Sequence, residues 1–228
     1  MKMKKTQTPP PKFLEVFSPT IMESTVPQRF VDIVNTAGDD VLSSEQKSAK
    51  WDWSHKLVGK VSKEIPIPVD NTDDRAFLFK IMRQSCLDYL NYIISKNRAY
   101  GWYKIAGREG KPTLDKIHLT HSWIVSQYSG EYNPYHHHTG DFSAVIYLKI
   151  PPNMQKELDK ELTDHYPTNG LIEFMYGESS DMRSDNLKFK PEVGTMLVFP
   201  SYLKHFVYPF YCEGERRSMS FNAHMRIV

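Results

Sequence analysis

The chain has 228 residues and a formal net charge of +2. Basic and acidic side chains are mixed along it, which excludes the one-sided basic footprint of a nucleic-acid or membrane-surface binder. Its length suits one well-buried domain, no stretch approaches the length of a transmembrane helix, and two cysteines, Cys86 and Cys212, do not make a stapled secreted scaffold or a Cys-x-x-Cys site. A reduced, cytoplasmic protein is expected.

Residues 1–12 read as a flexible tail. The basic Met1-Lys2-Met3-Lys4-Lys5 start runs into polar residues and three prolines, with no apolar run long enough for a secretory signal. A single domain is expected over 13–228, helical up to about residue 100. Phe30, Ile33 and Val34 give a short helical stripe between Pro27 and Asn35. Asp39 to Lys60 is polar, holds Trp51 and Trp53, and suits either an extended wrap or short helices. The strongest helix starts after Asn71 or Thr72, with Asp73 and Asp74 in its first turn, where negative charge favours the positive helix end. Its apolar positions, Phe77, Leu78, Ile81, Met82, Leu87, Leu90, Ile93 and Ile94, recur at helical spacing as far as about Asn97 and predict one buried and one wet face. Met82 and Cys86 read as core filler.

After Gly101 the texture turns to β. Segments near Leu119 to Gln127, Asp141 to Leu148, Gly170 to Tyr176, Gly194 to Phe199, Lys204 to Tyr208 and Arg216 to His224 are short, aromatic and β-branched, and separated by Gly, Pro and Asn. Many short strands with turn signals predict a sandwich or barrel. The charged stretch from Pro151 to Pro167 has Met154, Leu158 and Leu162 at helical spacing and is expected as an excursion over the barrel mouth.

Strand alternation says which way residues face. In the last segment Arg216, Ser218 and Ser220 share one face, and Met219 and Phe221 the other. In Asp141 to Leu148, Tyr147 shares a face with Ser143 and Val145, opposite Phe142, Ala144, Ile146 and Leu148. A polar, cationic inner face with an apolar outer face suits a barrel that holds an anion inside and packs helices outside.

His136 and His138, at i and i+2 on an extended strand, point the same way and can share a metal that His205 completes from another strand. Three neutral imidazoles suit first-row transition metals. Arg216, eleven positions after His205, offers a cation to a carboxylate bound beside the metal. Each feature has a plainer reading: three histidines in a solvated loop, one partly buried histidine, a surface pair at Arg216-Arg217. Their conjunction, in order and on compatible strands, favours the metal site.

The runs Asn133-Pro134-Tyr135-His136-His137-His138-Thr139-Gly140-Asp141-Phe142-Ser143 and Val145-Ile146-Tyr147-Leu148-Lys149 resemble the first metal-binding segment of 2-oxoglutarate and Fe(II)-dependent oxygenases common in bacteria and tailed phages. Gly194 to Ser201 with His205, and Arg216-x-Ser218-x-Ser220-Phe221-Asn222, resemble the closing segments, so the likeness spans about His121 to Asn222. It implies a mainly β protein with flanking α, a double-stranded β-helix (jelly roll, cupin-like) whose N-terminal helices pack on the outer sheet. It further implies His136 and His205 as iron ligands, 2-oxoglutarate as co-substrate with its far carboxylate on Arg216, and help from Tyr147 and Ser218. The superfamily's usual triad is His-x-Asp or His-x-Glu plus a distal histidine, whereas His138 stands two after His136 here. Strand periodicity favours His138 as third ligand, and the Thr139-Gly140 turn leaves Asp141 as the alternative.

The implied reaction is oxidative decarboxylation of 2-oxoglutarate, with dioxygen, coupled to hydroxylation of a substrate that the family's habits tilt towards a peptide or protein. A three-histidine cupin dioxygenase without a keto acid and a non-catalytic metal-bearing jelly roll are the competing readings. Trp123, Tyr128, Tyr132 and Tyr135 can line a substrate mouth, with core packing expected for at least half of them. The expected location is cytoplasmic, in a bacterium or in a host cell if phage-encoded.

Overall fold

The structure, a computed structural model, describes residues 19–52, 54, 59–96, 98, 111–159 and 168–225. The tail expected over 1–12, and Trp53 and Leu162, lie outside them.

Among the described residues ten strands form two antiparallel sheets: β1 (Met22–Thr25), β2 (Lys63–Pro66), β3 (Ile117–Gln127), β4 (Asn133–His136), β5 (Phe142–Lys149), β6 (Ile172–Met175), β7 (Asn186–Phe189), β8 (Thr195–Pro200), β9 (Lys204–Val207) and β10 (Arg216–Met225). The larger sheet has the order β1-β8-β5-β10-β3-β2 and the smaller the order β4-β9-β6-β7. The helices are α1 (Gln28–Leu42), α2 (Glu45–Trp51), α3 (Thr72–Ser95) and the one-turn α4 (Met154–Leu158). This is the expected mainly β jelly roll with N-terminal helices on the outer sheet. No helix among the described residues is long and apolar enough to cross a membrane.

Helix α3 forms where the sequence predicts it. The Asn71 side chain accepts from the Asp73 and Asp74 N–H groups, and those two carboxylates sit at the positive helix end. Leu78, Met82, Cys86, Tyr89 and Leu90 make its buried stripe, with Phe77, Ile81, Ile93 and Ile94 packed at the margins. Helix α1 runs past the expected end at Asn35 because Gly38 lets it lie close on the sheet: a Cβ there would stand 3.1 Å from Ile124 Cδ1 and 3.3 Å from Arg217 Nη1. A helical glycine costs about 1 kcal/mol against alanine, which this close packing offsets. The open choice over 39–60 resolves in part into α2, whose Ser44 cap accepts from Lys47 N–H.

The predicted faces of β5 and β10 both appear. Phe142, Ala144, Ile146 and Leu148 of β5, with Met219, Phe221 and Ala223 of β10, pack outward against Phe30, Val34, Leu78, Met82 and Leu90 of α1 and α3. Val145 and Tyr147 face the smaller sheet, where they join Ile172, Phe174, Leu197, Phe199 and Leu203. The expected excursion over the barrel mouth is corrected for its described part. Met154 of α4 seats against Gly170, the Glu157 carboxylate accepts from Tyr211 N–H, and none of residues 151–159 lines the cavity between the sheets.

Candidate metal centre and anion pocket

A cavity of about 580 Å³ opens between the sheets. The smaller sheet contributes His136 and His205, which are register partners on β4 and β9, with ring centroids 4.2 Å apart. His138 follows the end of β4, held by its backbone N–H donating to Ser201 O at 2.9 Å, and its ring lies 5.0 Å from that of His136 and 5.1 Å from that of His205. One ring nitrogen from each of the three lies within 4.8 Å of the others.

Backbone carbonyls orient two of these rings. His136 Nδ1–H donates to Pro134 O at 2.7 Å and His205 Nδ1–H to Leu203 O at 3.0 Å, which makes Nε2 the lone-pair nitrogen of each ring, that of His136 standing 3.5 Å from Asn133 Nδ2. The His138 ring rests on Trp123, 5.6 Å between centroids. Burial, aided by repulsion between neighbouring histidines, holds His138 and His205 down at about 3 and lowers His136 in the same direction. The three are therefore neutral at physiological pH, with the donor chemistry a first-row divalent metal accepts.

Asp141 lies apart from this trio. Its Oδ2 accepts from Met225 N–H at 2.8 Å and stands 3.9 Å from His224 Nδ1, at the far end of β10. Its backbone N–H donates to Ala223 O across a turn that needs glycine: Gly140 has φ +115°, and a Cβ there would meet the same carbonyl at 2.9 Å.

Arg216, Ser218, Ser220 and Asn222 of β10 line the larger sheet's side of the cavity, on the predicted face. Arg216 is only 2% exposed, and Nη1 donates to Gln127 Oε1 at 2.9 Å, but Nε and Nη2 have no hydrogen-bond partner. Tyr147 is fully buried, its ring centroid 5.2 Å from Arg216 Cζ, and its hydroxyl is likewise unpartnered. Burial lowers the Arg216 pKa and raises that of Tyr147. A buried donor without a partner costs about 1–3 kcal/mol. The two on Arg216, which lines the cavity, fit a carboxylate that would satisfy them. Buried Ser218 borders the same space.

The reading of Arg216-Arg217 as a surface pair is overturned, since both are 2% exposed. They face opposite ways: Arg217 is held by Glu215 Oε1 at 2.6 Å, Glu215 Oε2 at 2.9 Å and Asp39 Oδ1 at 2.8 Å. The expectation of core packing for the aromatic group is corrected too. Trp123 lines the cavity, Tyr128 is exposed, and Tyr132 and Tyr135 are exposed and flank Phe206 at 6.3 and 5.3 Å. Sequence reading also missed Gln127 as a site residue, although it is the register partner of Arg216, and the buried contacts of Ser143 Oγ with Ser201 Oγ (3.1 Å) and Asn222 Oδ1 (2.8 Å) behind the histidines.

Residues 121–222, which hold both the histidine trio and the arginine, match the family model described as "Putative 2OG-Fe(II) oxygenase". The chain carries a 2OG-Fe(II) oxygenase domain. This oxygenase is an enzyme whose family works with Fe(II), 2-oxoglutarate and dioxygen. Its fold is similar to that of a prolyl-4-hydroxylase from Pseudomonas putida (13% identity, TM-score 0.50, covering 90% of this chain and 93% of that one). It is also similar to a viral collagen prolyl hydroxylase from Paramecium Bursaria Chlorella virus-1 in complex with 2OG (13%, 0.50, 89% and 94%). A third similar structure is a prolyl hydroxylase from Trichoplax adhaerens in complex with a hypoxia inducible factor oxygen degradation domain peptide fragment (14%, 0.53, 90% and 83%). Among curated proteins no sequence matches the chain.

Proposed function

We propose that the oxygenase is a hydroxylase in which His136, His138 and His205 hold Fe(II), Arg216 binds the far carboxylate of 2-oxoglutarate with Tyr147 and Ser218 beside it, and the substrate is a peptide or protein. The observation that carries this reading is the convergence, in one cavity, of three histidine nitrogens within 4.8 Å of one another and of unpartnered buried donors on Arg216, whose Cζ lies 5.2 Å from the buried Tyr147 ring. Asp141, tied to Met225 N–H, has its carboxylate engaged elsewhere, which supports His138 as third ligand.

Bound there, iron and 2-oxoglutarate supply the activation of dioxygen, one oxygen atom going to succinate as carbon dioxide leaves and the other into a substrate C–H bond. The protein supplies position and field. Pro134 O and Leu203 O fix two imidazoles, the neutral trio gives the site one more unit of positive charge than a two-histidine, one-carboxylate site, and Arg216 with Tyr147 sets the direction of the keto acid. The peptide assignment draws support from the similar fold of the Trichoplax hydroxylase, which holds a peptide fragment.

The packing of α1 and α3 on the larger sheet supports one domain over 13–228, and the two free cysteines suit a reducing cytoplasm. Iron-dependent consumption of 2-oxoglutarate tests the function. Arg216→Ala should abolish it while iron binding persists; undiminished consumption by that variant would remove Arg216 from its role.

A further inference from the structure

Two consecutive buried arginines are answered in different chemical terms. Arg217 meets two carboxylates, from Glu215 and Asp39, which compensate its charge. Arg216 meets a neutral amide, Gln127 Oε1 at 2.9 Å, and Gln127 is itself 1% exposed. The amide cannot turn over, because its Nε2 donates to Glu131 O and, at 3.5 Å, to Tyr208 O. Gln127 and Arg216 face each other across the β3–β10 pair, so the contact is set by strand register. A buried guanidinium ordinarily has a carboxylate partner, because an uncompensated charge is costly to bury. A carboxylate at position 127 would neutralise Arg216 and compete for its donors. The amide fixes one arm of the guanidinium and leaves its charge, with Nε and Nη2, uncommitted.

We infer that Gln127 is a positioning residue that keeps Arg216 oriented but un-neutralised, and so selects a keto acid bearing a second, distal carboxylate. The inference rests on the proposed role of Arg216. Its neutrality matters as much as its reach: glutamate has the same size and can still accept from Arg216, yet it cancels the charge that recruits the distal carboxylate.

The test is binding under nitrogen to the full-length, iron(II)-loaded protein, measured calorimetrically with 2-oxoglutarate and with pyruvate, which lacks the distal carboxylate. Circular dichroism melts accompany each variant. Gln127→Glu should weaken 2-oxoglutarate by tenfold or more and leave pyruvate within twofold of the unaltered protein. Gln127→Leu, which keeps the bulk but removes the acceptor, should weaken 2-oxoglutarate and again spare pyruvate. Arg216→Ala should lose the preference for 2-oxoglutarate entirely. If Arg216→Ala loses it while both Gln127 variants bind 2-oxoglutarate normally, the role of Gln127 is overturned and that of Arg216 stands. If Arg216→Ala keeps the preference, the anchor assignment itself falls, and equal weakening of both keto acids in the Gln127 variants would also refute the selection.

Discussion

His136 and His205 face each other as register partners on neighbouring antiparallel strands, each with Nδ1–H committed to the carbonyl two residues before it. The backbone that makes the sheet thus also sets the tautomer and aim of two ligands. A metal bound only by the folded protein stabilises it in proportion to the logarithm of its concentration over Kd. Fe(II) added under nitrogen should therefore raise the melting temperature of the native protein, chelation should reverse the rise, and His136→Ala or His205→Ala should show no shift. A shift of native size in either variant would place the metal elsewhere.

The third ligand separates from its alternative by substitution. His138→Ala should lose at least tenfold in iron affinity, since it removes one of the three nitrogens lying within 4.8 Å of one another. Asp141→Asn should keep iron affinity within a few-fold but melt earlier, because its acceptor for Met225 N–H is weakened. Anaerobic titration and thermal melts of the two variants check this, and the reverse pattern would make Asp141 the ligand.

Leu78 is fully buried on α3, within the layer between that helix and the larger sheet. Leu78→Ala should cost about 2–5 kcal/mol of stability in urea unfolding, from lost transfer energy and the cavity left behind. Iron affinity of the folded variant should not change, because the layer packs on the sheet face opposite the cavity.

Glu157 sets a pH dependence away from the site. Burial pushes its carboxyl up, but the Tyr211 N–H, the Asn169 amide and Cys212 outweigh this and hold it below the usual carboxylate range. A carboxyl lowered on folding contributes stability above its unfolded value of about 4.3 and loses it as pH falls through the folded value. The melting-temperature gap between native protein and Glu157→Gln should be widest near neutrality and narrow below about pH 4.3. A gap that is constant with pH would contradict it.

The six strands legible from composition and turn signals are the six interior strands of the two sheets; of the four edges, β1, β2, β4 and β7, only β4 was anticipated, from the spacing of His136 and His138, and it ends at His136, before His138. Interior strands carry enough apolar, aromatic and β-branched residues to be read, β5 most clearly with seven of its eight residues buried. Edge strands here are four residues long and mix polar with apolar residues, as in Lys63–Pro66 and Asn186–Phe189, and carry too little pattern to be seen. Chemistry-bearing residues were legible because alternation fixes which face Arg216, Ser218 and Tyr147 share. Gln127 was not, because its meaning comes from pairing across 89 residues of sequence separation, which register reveals and composition does not. The end of α1 was hidden for a related reason: the helix continues past Asn35 through Gly38, whose close approach to Ile124 and Arg217 leaves no local pattern.

The most direct measurement is a crystal structure of the Fe(II) and 2-oxoglutarate complex prepared under nitrogen. One iron should be bound by a nitrogen from each of His136, His138 and His205, with the far carboxylate of the keto acid on Arg216 Nε and Nη2. Iron ligated by Asp141 in place of His138, or a keto acid that leaves those two nitrogens untouched, would contradict the assignment.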